Sequence, residues 1–153
     1  MSADMPDLAR RIADIEEAMQ MAQKDGETLM VFPYLLLQAT KSYFFAGRLQ
    51  EAQTYLDRAM QLGQSRQYRQ LPAMGQRMQG RIWQAQKRFE EAQLCFEHSL
   101  AELSALDDQV EYARTQEAYG HFFLERNSEG DEERGQELLK AARQTFERLG
   151  VNG

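Results

Sequence analysis

Apolar residues recur along this chain at the three- and four-residue intervals of an amphipathic α-helix. Leu8, Ile12 and Ile15 share one helical face near the start, and Leu139 and Phe146 share another near the end. No segment alternates apolar and polar residues with the period of two that is typical of a strand. Only three prolines occur, and residues that favour helices dominate between them. The pattern therefore predicts an all-α fold without strands.

Turn and capping residues divide the chain into about seven predicted helices. Proline suits the first turn of a helix, glycine suits its end, and Ser or Asp suits its N-cap. The residues expected in these roles are Asp25-Gly26 after the first helix, Gly47 after the second, Pro72 in the first turn of the fourth, Asp107 or Asp108 before the sixth, Ser128 or Asp131 before the seventh, and Gly150 after it.

The helices group into one leading helix and three helix pairs. We expect a single domain over 1–153, with the leading helix at 7–24 and the pairs at 28–63, 67–104 and 108–149. The links Gly47-Arg48 and Lys87-Arg88 are so short that the helices of a pair must lie antiparallel and touch. The third pair carries three extra residues in its turn.

Small and aromatic residues recur every 40 positions along the helix pairs. The recurring positions are Thr40, Gly80 and Gly120, then Tyr43, Trp83 and Phe123, and the dipeptide Glu51-Ala52, which returns as Glu91-Ala92. Such a fixed period indicates a solenoid, in which each unit buries its apolar face against its neighbours. The small residues let two helix backbones approach, and we expect the aromatic ring to fill the space beside that contact.

These positions resemble the tetratricopeptide repeat family over roughly 33–149. The residues that carry the resemblance are Leu36, Ala39-Thr40, Tyr43, Ala52 and Leu56 in the first unit, Gln76, Gln79-Gly80, Trp83, Ala92 and Phe96 in the second, and Gln116, Tyr119-Gly120, Phe123, Gly135 and Leu139 in the third. The resemblance implies a right-handed solenoid of antiparallel helix pairs whose first helices line a concave face. The last helix is similar to a terminal cap, so we expect the solenoid to stop there.

The repeats depart from the family pattern in three ways. They are longer than the usual 34 residues, the closing proline is missing, and Gln76 and Gln116 occupy a bulky apolar position. Lengthened repeats of this kind are similar to those at the C-terminal ends of large bacterial signalling ATPases and transcriptional regulators. The armadillo and HEAT types also fall in this range of periods, while Glu-Ala after a short turn favours the tetratricopeptide type.

Charge and composition limit the partners and the cellular compartment that we expect for this chain. The 153 residues carry a net charge of −6, which argues against a nucleic-acid partner. The single cysteine excludes an internal disulfide. The longest nearly apolar stretch, 29–37, is far shorter than the about 20 residues of a membrane span. We therefore expect a cytoplasmic protein with no membrane partner.

No catalytic or metal-binding pattern can be assembled from the sequence. The glycines are scattered, and His98 and His121 lie 23 residues apart. Cys95 directly precedes the core residue Phe96 and suits a small, partly buried filler better than a nucleophile. We expect no enzyme activity, no metal site and no cofactor.

The resemblance places the candidate binding residues on the first helix of each pair. They are Tyr34, Leu37, Lys41 and Phe44, then Met74, Arg77, Met78 and Arg81, then Arg114, Glu117 and His121, with Phe45 and Leu124 on the same faces. Aromatic and methionine side chains beside arginines combine apolar area with bidentate donors for carboxylates. The alternative interpretation is that Leu37, Phe44 and Phe45 only pack between helices and that the arginines are solvated.

The leading functional hypothesis is a non-catalytic scaffold for protein–protein interaction. Its concave face would hold a protein or peptide, and the arginines would suit an acidic one. The alternative is the regulatory sensor region of a signalling ATPase or transcriptional regulator, responding to a small ligand. A third possibility is a homo-oligomer assembled through the end helices.

Overall fold

The computed structural model describes residues 5–24, 32–65 and 68–152. Over these ranges the chain forms seven α-helices and no strand, which confirms the predicted all-α class and helix number. The helices are α1 (Met5–Lys24), α2 (Phe32–Phe45), α3 (Leu49–Ser65), α4 (Leu71–Ala85), α5 (Phe89–Ala105), α6 (Gln109–Arg126) and α7 (Asp131–Leu149).

The chain divides into two compact units, Met1–Leu71 and Pro72–Gly153. In the first unit, α2 packs against both α1 and α3. In the second, α6 packs against both α5 and α7. The predicted packing of neighbouring helices is confirmed within each unit, whereas the single domain and the right-handed solenoid stay predictions.

Tyr43 anchors α2 to both of its neighbours in the first unit. Its ring is buried and stacks on Tyr55 of α3, with the ring centroids 5.1 Å apart. Its hydroxyl donates a hydrogen bond to the carboxylate of Glu16 on α1. Burial, and next the bond to Glu16, raise the pKa of Tyr43, so this hydroxyl stays a donor.

The turn inside each of the first two helix pairs contains one residue in the left-handed conformation, and the turn of the third pair contains two. One left-handed residue of each turn belongs to a series spaced 40 positions apart: Gly47, Lys87 and Asn127, with φ of 76°, 62° and 52°. Glycine adopts this conformation freely and asparagine tolerates it, whereas lysine adopts it rarely. After Lys87, the amide of Arg88 donates to the carbonyl of Trp83 at 2.9 Å and closes the helix end. The 40-residue repeat is therefore a repeat of backbone geometry as well as of sequence.

An arginine clasp follows the first two of these turns. In each clasp the guanidinium lies over the aromatic ring of the preceding helix and pairs with a glutamate three residues further on. The members are Arg48 over Tyr43 at 4.7 Å with Glu51, and Arg88 over Trp83 at 4.5 Å with Glu91. Both contacts hold the second helix of a pair against the end of the first.

Glycines mark the closest approaches of paired helices in the second unit. A Cβ atom placed on Gly120 of α6 would lie 3.0 Å from the carbonyl oxygen of Gly135 on α7. A Cβ atom on Gly80 of α4 would lie 3.0 Å from the ring of Phe96 on α5. The predicted close approach of two helix backbones is confirmed at Gly120, whereas Gly80 makes room for the ring of Phe96.

The aromatic residues of the repeat are not equally buried. Tyr43 and Phe123 are 2% and 0% exposed, as predicted for rings that fill the helix contact. Trp83 is partly buried and packs against the cluster around Phe96, so its ring lies beside the predicted contact but fills it less completely. Phe96 of α5 is fully buried in this cluster, and its ring stacks on Tyr119 of α6 at a centroid distance of 5.4 Å.

The predicted helix starts and ends agree with the structure at four positions and differ at one. Gly47 follows α2 in the left-handed conformation, and Pro72 lies in the first turn of α4. Asp108 caps α6, since its carboxylate accepts from the amide of Glu111 at 3.1 Å. Gly150 ends α7 in the left-handed conformation. Gly130 takes the N-cap position of α7, so the prediction of Ser128 or Asp131 was wrong. The predicted cap Asp25-Gly26 lies outside the described residues.

Asp131 is the first residue of α7, and its side chain bonds to the preceding loop instead of capping the helix. Its buried carboxylate accepts from the amide of Ser128 at 2.9 Å and from the guanidinium of Arg126 at 2.8 Å. These bonds close the loop that follows Asn127 and so accommodate the three extra residues of the third pair.

Candidate binding site

An ion-pair network joins α4 to α6 in the second unit. Arg77 of α4 donates to the carboxylate of Glu111 on α6 at 2.8 Å and to the Thr115 hydroxyl at 3.1 Å. The other carboxylate oxygen of Glu111 accepts from Arg114 at 2.6 Å. The side chains of Arg77 and Glu111 are 14% and 12% exposed, so this pair is largely shielded from water. The structure thus brings the predicted residues Arg77 and Arg114 together through Glu111.

Buried hydroxyl groups continue this network into the core. Ser99 of α5 donates to the carbonyl oxygen of Ala73 at 2.7 Å, and the hydroxyls of Ser99 and Thr115 lie 2.9 Å apart. Both hydroxyls are fully buried. The Ser99 hydroxyl has one proton and donates it to the Ala73 carbonyl. The Thr115 hydroxyl must therefore donate to Ser99, while it accepts from the Arg77 guanidinium. The chain of bonds fixes Arg77 relative to three helices.

Arg81 lies one helical turn beyond Arg77 on α4. Burial, and next the positive charge of Arg77, lower the pKa of Arg81, while the charge of Glu117 on α6 partly offsets them. The pKa of Arg81 falls because its charged form is less well solvated here than in water. The guanidinium nevertheless stays charged at neutral pH, since an arginine pKa lies far above 7.

The local charge of this surface is opposite to that of the whole chain. Three arginines (77, 81 and 114) face two glutamates (111 and 117), an excess of one positive charge in a protein of net charge −6. We call these five residues the α4/α6 arginine cluster. Such a cluster attracts an anionic group and repels a cationic one.

The other predicted residues of the second unit occupy different environments. His121 is exposed on α6 and Met74 is partly buried on α4. Met78 is 7% exposed and belongs to the core. Met74, and not Met78, therefore presents apolar area on this surface.

The four predicted residues of α2 lie in the first unit. Leu37 is 7% exposed, in agreement with the alternative interpretation that it only packs. Tyr34 packs edge-on against Tyr68, with centroids 5.8 Å apart, and Phe44 packs in the same manner against Phe45 at 5.5 Å. Lys41 is exposed at the border of a cleft between α1 and α2.

Three members of the network in the second unit were missed by the sequence reasoning. Glu111 follows the N-cap Asp108 by three positions, a spacing that predicts a capping box and gives no sign of a partner on α4. Ser99 and Thr115 are ordinary polar residues in helical segments. Their roles depend on packing between helices, which no local pattern encodes.

The described ranges contain neither a metal-binding cluster nor a membrane-spanning helix. No cluster of three or more His, Cys, Asp or Glu side chains suits a metal ion there. Burial raises the pKa of the partly buried Cys95 thiol, which lowers its reactivity. Within the same ranges, no helix has the length and apolar character needed to cross a membrane.

No protein-family model matches the chain, and no curated protein shows significant sequence similarity to it. The repeat and the chemistry of the α4/α6 arginine cluster are therefore the features of this chain that bear on its function.

Proposed function

We propose that this chain is a non-catalytic interaction module of the helical-repeat class, built from lengthened tetratricopeptide-like units, whose α4/α6 arginine cluster binds an acidic peptide segment. The observation that carries the proposal is the excess of arginine over glutamate on α4 and α6, around the largely shielded Arg77–Glu111 pair. The 40-residue spacing of the left-handed turn residues supports the repeat class.

The arginines of the cluster have separate roles in this proposal. Arg77 is bonded to Glu111 and Thr115 and holds α4 against α6. Arg81 lies beside Arg77 in a partly desolvated position, where burial and the positive charge of Arg77 both disfavour the charged form of Arg81. An incoming carboxylate would relieve this repulsion and form charge-assisted hydrogen bonds with the guanidinium. Arg81 is therefore the proposed contact, and Arg77 is its support.

Arg81→Glu is the variant that tests the proposal. The probes are a fluorescein-labelled glutamate-rich peptide and the same peptide with glutamine in place of glutamate, measured by fluorescence anisotropy. We expect the glutamate peptide to bind more tightly, and Arg81→Glu to weaken it about tenfold, or about 1.4 kcal/mol. Binding should also weaken as NaCl rises from about 0.1 M to about 1 M, because the Debye length shortens from about 10 Å to about 3 Å.

Arg143→Glu is the matched control, since it makes the same charge change at an exposed arginine of α7 in the same unit. Circular dichroism should show unchanged helix content in both variants. Equal affinity of the two variants for the glutamate peptide would contradict the proposal, as would equal affinity of the wild type for the two peptides.

A second candidate function is a regulatory sensor for a small ligand. It is favoured by a cleft of about 260 Å³ in the second unit, which has Asp107, Tyr112 and Arg148 on its border. In the sensor hypothesis this cleft binds the ligand. Native mass spectrometry of the freshly purified chain tests the sensor hypothesis. A small molecule that is bound to the wild type and absent from the Tyr112→Ala variant would support it.

A further inference from the structure

The cleft of about 260 Å³ in the second unit is bordered by α7 and by the turn that joins α5 to α6. Its volume is slightly below the about 300–1,000 Å³ typical of pockets for drug-sized molecules. It therefore suits a ligand of about the size of a single amino acid.

Three helices contribute apolar area to this cleft. Leu103 of α5 is fully buried, and Tyr112 of α6 and Ala141 of α7 are partly buried. Side chains of this kind form the apolar part of most small-molecule sites, while a few polar groups fix the orientation of the ligand.

Two charged groups of opposite sign border the same cleft. Asp107 lies in the turn before α6, Arg148 lies near the end of α7, and both are exposed. Within the described ranges the Asp107 carboxylate has no hydrogen bond or ion pair, and Arg148 donates only from Nη2 to the Gln109 side chain, at 2.8 Å. The carboxylate and the remaining guanidinium donors can therefore both meet a ligand.

The turn between α5 and α6 fixes the place of Asp107. Its φ is 55°, and its amide donates to the carbonyl of Ser104 at 3.1 Å. The next amide, of Asp108, donates to the carbonyl of Leu103 at 3.1 Å. The two aspartates differ in use, because the Asp108 carboxylate caps α6. Asp107 is thus the acidic group held ready at the border of the cleft.

We infer that this cleft binds a free α-amino acid with an apolar side chain. The ammonium group of the ligand donates to Asp107, and its carboxylate accepts from Arg148. Its side chain contacts Leu103, Tyr112 and Ala141. Both ionic contacts are charge-assisted hydrogen bonds, and a zwitterion makes both, whereas a simple anion or cation makes only one. The inference rests on the sensor hypothesis and does not involve the α4/α6 arginine cluster.

The test uses L-leucine and three analogues that each lack one part of it. L-leucinamide lacks the carboxylate, N-acetyl-L-leucine lacks the ammonium group, and glycine lacks the side chain. Binding to the full chain is measured by titration in ¹H–¹⁵N spectra. We expect L-leucine to shift the amide resonances of Asp107, Tyr112 and Arg148, and to bind about tenfold more tightly than each analogue.

Two variants assign the ionic contacts to their residues. Asp107→Asn keeps the left-handed turn, which asparagine tolerates, and should weaken L-leucine binding about tenfold. L-leucine should then lose its advantage over N-acetyl-L-leucine. Arg148→Gln should weaken L-leucine binding to a similar extent and remove its advantage over L-leucinamide.

Glu137→Gln and Arg143→Gln are the matched controls. They remove the same charges at exposed positions of α7 that do not line the cleft, and they should leave the affinity for L-leucine unchanged. Equal effects of the cleft variants and the controls would overturn the inference. So would equal binding of L-leucine and its analogues, or the absence of any shift with L-leucine at about 10 mM.

The sensor hypothesis fails on a different observation from the inferred ligand class. If native mass spectrometry finds a retained molecule that is lost in Tyr112→Ala, and its mass is not that of an amino acid, the cleft is a ligand site and only the ligand class is wrong. If nothing is retained and L-leucine shifts no resonance, both are wrong.

Discussion

Trp83 and Phe123 occupy equivalent positions of the 40-residue repeat but differ in burial. Phe123 is fully buried, whereas Trp83 lies at the edge of the aromatic cluster under Arg88. We expect Phe123→Ala to lower the free energy of unfolding by about 3–5 kcal/mol, as for a buried ring. Trp83→Ala should cost less, about 1–3 kcal/mol, because water already reaches part of the ring. Urea denaturation of both variants measures the difference.

Gln144→Ala is a suitable control, since it truncates an exposed side chain of α7 and should change stability by less than about 0.5 kcal/mol. Equal costs for Trp83→Ala and Phe123→Ala would mean that both rings fill their helix contacts to the same extent, which would contradict the burial described above.

At the scale of single elements, the turn between α4 and α5 holds a lysine in a strained conformation. Lys87 has φ of 62°, where an L side chain is disfavoured by about 1–2 kcal/mol. Lys87→Gly should therefore raise the free energy of unfolding by up to about 1 kcal/mol. The exposed ion pair that is lost, between Lys87 and Glu125 at 3.3 Å, contributes little. Thermal or urea denaturation tests this prediction.

Lys87→Ala is the matched control for this turn. It removes the same ion pair, and also the contact of the lysine with Phe89, but keeps a Cβ atom in the left-handed conformation. If alanine stabilises the chain as much as glycine does, backbone strain at this position is not the cause.

The start of α7 makes stability depend on pH through Asp131. The hydrogen bond and ion pair with Arg126 hold the pKa of Asp131 below its ordinary value, which is about 3.9 in the unfolded chain. A lowered folded-state pKa stabilises the fold above the unfolded value, and this stabilisation is lost as pH falls through the lowered pKa. We expect stability to decrease below about pH 4.

Asp131→Asn removes the titrating carboxylate while keeping an acceptor for the amide of Ser128. The variant should be less stable than the wild type at pH 7 and should lose less further stability on acidification. Urea denaturation at a series of pH values measures both effects. A parallel decline of the two proteins with falling pH would exclude Asp131 as a source of the acid sensitivity.

At the scale of the molecule, α6 is the central element of the second unit. It packs against both α5 and α7 and contains six buried residues, while α7 contains four. Because amides in the best-packed elements open least, we expect the slowest hydrogen exchange in the second unit around Tyr119, Phe122 and Phe123. Native-state exchange measured by NMR checks this order. Faster exchange in α6 than in α7 would contradict the central position of α6.

Much of the fold could be predicted because its signals are local. The apolar period, the capping Asp108 and the final Gly150 each act within one or two helical turns, and each prediction is confirmed. The cap of α7 could not be predicted in this way. Asp131 has the chemistry of an N-cap, but its carboxylate is engaged by Arg126, and Gly130 takes the N-cap position.

Less of the candidate site could be predicted, because helical periodicity gives only the face on which a residue lies. The resemblance to the tetratricopeptide family placed Arg77, Arg81 and Arg114 on the binding face of the first helices, and the structure brings these three together. It also placed Met78 on the binding face, although this side chain is buried in the core. The α1 side of the cleft in the first unit lay outside the predicted face altogether.

By itself, the sequence determined the helical class, the number of helices and the period at which their turns recur, since hydrophobic spacing and turn chemistry are properties of neighbouring residues. Only the tertiary structure decided which arginine supports the site and which is proposed to contact a ligand. Arg77 and Glu111 are 34 residues apart, and their pairing depends on the packing of α4 near α6. Helical spacing places Arg81 one turn from Arg77, and the partial burial of Arg81 beside that positive charge is the physical basis of the proposed affinity for an acidic segment.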